Sequence, residues 1–235
     1  IKCGKGVTLT GVVYCDDKPV EGVAVTDGVN IVRTDKEGIY RLASQKPYGL
    51  VYISTPSGYE PMNEDVVPEF WAKTTLAPKK RERHDFALKK VDDSRFSVLM
   101  CADSHLCNSD RGDLAFFSDY HMPLVRRVCD EVKDAPVYTI ILILGDITWD
   151  QYWVRANFDI DRSRRFLNEN NYPTQVYTIM GNHDNDPSVP AGEHTDFLAA
   201  NRYRNVYGPT FYSMDKGGVH FLMLDNIVYK NTVKP

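Results

Sequence analysis

No apolar run in the 235 residues approaches the roughly 20 that a bilayer crossing needs, so no membrane span is expected. Neither sign of charge dominates. Lys and Arg total 28 against 32 Asp and Glu, a net charge of −4, which argues against non-specific binding to nucleic acid or to an acidic membrane surface. No CxxC pair occurs. The five cysteines, Cys3, Cys15, Cys101, Cys107 and Cys129, match neither a disulfide framework nor a zinc-finger pattern. Cys3 and Cys15 would pair only in an oxidising compartment, and buried free thiols are the expectation for most of the five. The first residue is Ile1 rather than Met, which reads as a processed or trimmed product.

What is present is a folding composition. Hydrophobic residues make up 43% and charged residues 26%, enough apolar surface for one large domain or two ordinary ones. The first ninety residues read as strands separated by turn clusters: Val7 to Tyr14, Val23 to Thr26, Asn30 to Thr34, Ile39 to Leu42, Leu50 to Ser54 and Asp85 to Leu88. Short strands at this spacing predict an all-β sandwich over residues 1–90. Thr55 to Thr75, broken by Pro and Gly, reads as a long surface loop. Its Tyr59, Phe70 and Trp71 either face a ligand or pin the loop to its own domain, and pinning is the commoner use. The basic run Lys79 to Arg83 reads as a solvated edge. GVVYCDDKPVEGVAVTDG followed by TDKEGIYRL resembles the small transthyretin-like modules related to the carboxypeptidase regulatory domain. That resemblance implies a scaffold or docking role without catalysis.

From about residue 94 the pattern alternates strand and helix, which predicts a layered α/β domain over 94–235. Arg95 to Cys101 is an apolar strand. Pro123 suits the first position of a helix running to about Lys133, with Leu124, Val125, Val128 and Val132 on one face. Tyr152 to Glu169 and Glu193 to Tyr203 read as helices. Thr210 to Met214 and Val219 to Leu224 read as a hairpin. The organising stretch is TIILILGDITWD, Thr139 to Asp150. Its Ile-rich run predicts a strand buried on both faces, and Asp146 falls just past the strand, at the sheet edge where open α/β folds place ligands. Taken alone, Asp146 reads equally well as a turn or cap residue.

Three strands end in polar clusters: Asp103-Ser104-His105, Gly145-Asp146, and Gly181-Asn182-His183-Asp184. If the strands run parallel, these clusters share one edge and form a metal site. Carboxylate, imidazole and amide donors suit divalent ions such as Mn, Fe or Zn.

DSH, GDITWD and GNHD, in this order and strand context, resemble the signature of the calcineurin-like metallophosphoesterases, over about Arg95 to Asn226. The resemblance implies a four-layer αββα sandwich and a phosphomonoesterase or phosphodiesterase using two divalent ions (Mn, Fe, Zn or Ni). It implies Asp103 and His105 on the first metal, Asp146 bridging both, and Asn182 on the second. It places His183 over the substrate, not as a ligand, with Asp184 orienting its ring. The partner implied is a small phosphorylated substrate. The sandwich followed by this domain is similar to a bacterial, extracytoplasmic subgroup, which implies a periplasmic, secreted or surface location. The family completes its site with three later histidines, two of them in a Gly-His-x-His motif that this sequence does not contain. His84, His121, His194 and His220 are poor substitutes. The resemblance therefore implies an incomplete catalytic domain, with apolar surface exposed where missing strands would pack. The alternative is a non-catalytic binding or scaffold protein on the same fold. Leu106 to Met122 and Asp184 to Thr195 are the candidate selectivity loops.

Overall fold

Alternation in Leu9–Cys15 sets up the first strand, β1, whose Leu9 and Val13 side chains are wholly buried. The computed structural model describes residues 1–109, 111–133, 137–190, 192–193 and 195–229, so His194 and the Val132 side chain lie outside the described residues. After β1 come β2 (Lys18–Pro19), β3 (Ala24–Thr26), β4 (Ile31–Arg33), β5 (Ile39–Leu42) and β6 (Leu50–Ile53). Then follow β7 (Tyr59–Pro61), β8 (Trp71–Lys73), β9 (Glu82–Arg83) and β10 (Phe86–Lys90). β1 is the hub. It pairs antiparallel with β2 and β5, and parallel with β9 and β10. A second sheet runs β4-β3-β6-β8.

The strand-rich reading of this region holds, with one correction. Thr55 to Thr75 is not a plain loop, because it contains β7 and β8. The flanking prolines hid two strands too short to show alternation. Phe70 is buried, its ring 4.7 Å from that of Tyr212, so this aromatic pins its segment. Tyr212 belongs to β14 (Tyr212–Lys216), which forms a hairpin with β15 (Val219–Met223). The chain divides into two compact units. The hairpin clusters with the first, which comprises Ile1–Glu64, Pro68–Phe96 and Phe211–Met223. All five cysteines are free thiols.

The second unit comprises Asp65–Val67, Ser97–Thr210 and Leu224–Pro235. It is mixed α/β, built on a sheet of β11 (Phe96–Cys101), β12 (Tyr138–Leu144) and β13 (Val176–Ile179) in that order. β12 is the middle strand, and Ile140 to Ile143 are buried as the Ile-rich run predicts. It runs parallel to β13, with Ile141 opposite Val176 and Leu144 opposite Ile179. Met122, Val125, Phe158, Leu167 and Tyr203 pack with Ile141 and Ile143 in one core.

The helices differ from the sequence reading in their ends. The helix expected to begin at Pro123 begins ten residues earlier, as α1 (Asp113–Phe116). It continues through a π-helical turn, Phe117–His121, into α2 (Met122–Lys133). Asp113 starts it, accepting hydrogen bonds from the backbone N–H groups of Cys107, Asn108 and Ser109. A proline inside a helix has no N–H to donate and crowds the carbonyl four residues back. The wider turn just before it, where Met122 N–H bonds to Phe117 O, lets the chain pass Pro123 without breaking. Part of the expected selectivity loop Leu106 to Met122 is thus helical.

Tyr152 to Glu169 is two helices, α3 (Tyr152–Arg155) and α4 (Ile160–Glu169). Asn157 breaks the run with a left-handed φ of 51°. Asp159 restarts it as an N-cap that accepts from Arg162 N–H at 2.9 Å. The last helical stretch is likewise split, into α5 (Thr195–Ala199) and α6 (Asn201–Tyr207).

Candidate metal centre

The polar clusters after β11, β12 and β13 are laced together by backbone hydrogen bonds. Asp103 N–H donates to Gly145 O at 3.2 Å, and His105 N–H donates to Asp146 O at 2.9 Å. Asp146 Oδ1 accepts from His183 N–H at 2.9 Å. These bonds bring the three strand ends to one edge, as the parallel arrangement requires.

Two glycines make this approach possible. Gly145 has φ of +90°, and a Cβ there would meet Gly181 Cα at 2.9 Å. A Cβ on Gly181 would lie 2.0 Å from Asp146 N and 2.1 Å from Asp146 Oδ1. Neither position has room for a side chain. Strain gathers in the same place: Asp103, His105 and Asp146 have φ of 54°, 45° and 49°. Left-handed non-glycine residues cost on the order of 1 kcal/mol or more each and persist where surrounding structure enforces them, typically at functional sites.

One ligand atom each from His105, Asp146 and His183 lies within 4.8 Å of the others. His105 Nε2 is 3.6 Å from Asp146 Oδ2 and 3.7 Å from Asp103 Oδ1. These separations are too long for hydrogen bonds. They fit within the span of two donors that each sit about 2.0–2.2 Å from one shared ion. Hard carboxylate oxygens with imidazole nitrogens also match what a divalent first-row ion takes. The residues present therefore fit a divalent cation.

Asp184 is fully buried. Its carboxylate accepts from Thr148 N–H at 2.9 Å, Gly181 N–H at 2.9 Å and Ile147 N–H at 3.3 Å. It thereby staples the loop after β12 to the loop after β13. Burial pushes its pKa up to about 6, against the pull of these donors and with added repulsion from Asp146. Thr148 Oγ1 lies 3.0 Å from Asp184 Oδ1 and accepts from Trp153 Nε1 at 3.0 Å.

A model of the calcineurin-like phosphoesterase family matches residues 96–233, and a model for the N-terminal part of calcineurin-like phosphoesterases matches residues 7–91. The chain belongs to the calcineurin-like phosphoesterase family. Members of this family are generally phosphoester hydrolases that use divalent metals, and the His105, Asp146 and His183 group offers a place for one. A search of curated proteins returned no match.

Within this calcineurin-like phosphoesterase domain, the expected site residues fall as follows. Asp103, His105, Asp146 and His183 come together. Asp103 is the most open of them, with its side chain 70% exposed. Asn182 is exposed at the first position of a short 3-10 turn, Asn182–Asp184. His183, expected over the substrate and outside the ligand set, has a ring nitrogen within 4.8 Å of the His105 and Asp146 donor atoms. Asp184, expected to orient the His183 ring, faces the backbone of the neighbouring loop instead. The carboxylate on His183 Nδ1 is Asp150, at 2.9 Å. Asp150 and Trp149 were missed. The available signal was the tail of GDITWD, which places a carboxylate four residues past Asp146.

The other histidines lie elsewhere among the described residues. His220 pairs with Asp215 on the hairpin, His84 sits 3.6 Å from Glu82, and the His121 ring packs on Phe117.

Proposed function

We propose that this chain carries the phosphoester-hydrolysing centre of a two-metal calcineurin-like phosphoesterase. The reading extends to a four-layer αββα arrangement, to Mn, Fe, Zn or Ni as the ions, and to a small phosphorylated substrate outside the cytoplasm. The observation that carries it is the convergence of His105, Asp146 and His183 at one sheet edge. When bound, divalent ions supply Lewis acidity toward phosphoryl oxygens and make water a stronger nucleophile at neutral pH.

The protein's own groups take the remaining tasks. Asp146 presents two oxygens, with Oδ1 fixed by His183 N–H and Oδ2 turned toward His105. That suits a carboxylate shared between two ions. Asp103, the most exposed of the group, would complete the set with His105, and Asn182 would supply an amide oxygen. His183 handles the proton. Asp150 can only accept, so Nδ1 carries the hydrogen and Nε2 is left to exchange a proton with the leaving oxygen. Asp184 acts at one remove, by holding the loops that carry Asp146 and His183.

The test is hydrolysis of p-nitrophenyl phosphate and bis-p-nitrophenyl phosphate with Mn, Fe, Zn or Ni, against a chelated control. Metal-dependent turnover that disappears in Asp146→Asn is expected. Equal rates for the wild type and Asp146→Asn with every ion contradict the reading.

A further inference from the structure

Trp149 lies between two residues that the site already uses. On one side, Thr148 is wholly buried and tied to Asp184 and to His183 O. On the other, Asp150 holds the His183 ring. Trp149 itself is half-buried, and its carbonyl accepts from Tyr152 N–H at 2.9 Å, which fixes the backbone that follows. The backbone that carries the indole is therefore held on both sides.

The indole points at both imidazoles of the candidate centre. The Trp149 and His105 rings stand edge to face, centroids 5.4 Å apart and planes at 86°. Trp149 and His183 are also edge to face, at 6.2 Å and 69°. The two imidazoles are 4.9 Å apart, so the three rings form one triangle. The indole also packs on Tyr152, ring centroids 5.2 Å apart. Edge-to-face pairs at these separations are the favoured arrangement of aromatic rings. An imidazole packed edge to face against a neighbouring ring is biased toward that orientation. Among the described residues, the carboxylate oxygens nearest His105 Nε2 stand at 3.6 and 3.7 Å, beyond hydrogen-bond length. The packing of the three rings is thus a restraint on the His105 ring.

We propose that Trp149 is a positioning residue, setting the His105 ring for a divalent cation and the His183 ring beside it by edge-to-face packing against both. The proposal rests on the metal-centre reading above. It assigns to one aromatic side chain the orienting task that, for His183 alone, Asp150 performs through a hydrogen bond. Groups that orient metal-binding histidines typically govern affinity by about 10–100-fold.

The experiment measures the dissociation constant for Mn(II), from the spin-resonance signal of the free ion, in the wild type, Trp149→Phe, Trp149→Leu and Asp146→Asn. Trp149→Leu is expected to weaken binding about tenfold. Trp149→Phe, which keeps a ring edge, is expected to stay near the wild type, and the metal-free proteins are expected to melt together. That rescue separates ring packing from a general loss of fold. If Asp146→Asn loses the ion while Trp149→Leu binds as tightly as the wild type, the positioning role is wrong and the centre stands. If Asp146→Asn binds like the wild type, the centre itself is misassigned and the role of Trp149 falls with it.

Discussion

His183 Nδ1 lies 2.9 Å from Asp150 Oδ1, and these two residues, 33 positions apart, form the one imidazole–carboxylate pair of hydrogen-bond length at the candidate centre among the described residues. The pair fixes the tautomer of His183 and leaves Nε2 for proton transfer. Asp150→Asn keeps the shape and removes the fixed acceptor. It is expected to lower kcat by about 100-fold while bound metal per chain stays unchanged. Steady-state kinetics with parallel metal analysis checks this. An unchanged kcat means that His183 does not move the proton.

Gly181 faces Asp146 at a distance that excludes a methyl group. Gly181→Ala must push the two loops apart. It is expected to cost about 3 kcal/mol in stability and to lose metal binding together with that stability. Denaturant unfolding of the metal-free protein gives the first quantity, and a native-like midpoint argues against the close approach.

In the first unit, the wholly buried Lys46 pairs with Glu82 and also donates to Ala77 O and Lys80 O. Burial works to raise the Glu82 pKa, yet hydrogen bonds from Lys46 and Thr75 outweigh it and hold the carboxyl at about 2. A carboxyl whose folded value is depressed stabilises the fold above its unfolded value and loses that contribution as pH falls. The loss should therefore run from pH ~4.3 down to about 2. Urea midpoints across that window are expected to fall steeply in the wild type. In Lys46→Met they should fall less, from a starting stability lower by on the order of 3 kcal/mol. Parallel curves for the two proteins contradict the pairing.

Much of this was legible in the sequence, for reasons that particular residues show. Ile140 to Ile143 announced a strand buried on both faces. The clusters after three such strands could meet only if those strands ran side by side, which the β12–β13 register and the hydrogen bonds between the loops bear out. Helix ends were less legible. Pro123 looks like a helix start because its chemistry suits one, and nothing local reveals the π turn that carries it mid-helix. The partner of His183 is not legible locally, because Asp184 is its neighbour in sequence while Asp150 is the carboxylate on its ring. His183 and Asp184 sit in a 3-10 turn, where successive side chains diverge by about 120°. Adjacent residues there cannot face the same way, so Asp184 turns into the loop and a residue from another strand end takes the ring.

The central claim is that a divalent ion sits on Asp146 and His105, beside the His183 ring. Crystals equilibrated with Mn(II) and measured at a wavelength where manganese scatters anomalously test it most directly. The account predicts an anomalous peak about 2.0–2.3 Å from the Asp146 carboxylate and an imidazole nitrogen of His105, absent in Asp146→Ala. Ordered His105, Asp146 and His183 side chains with no peak between them, or a peak that survives Asp146→Ala unchanged, would contradict it.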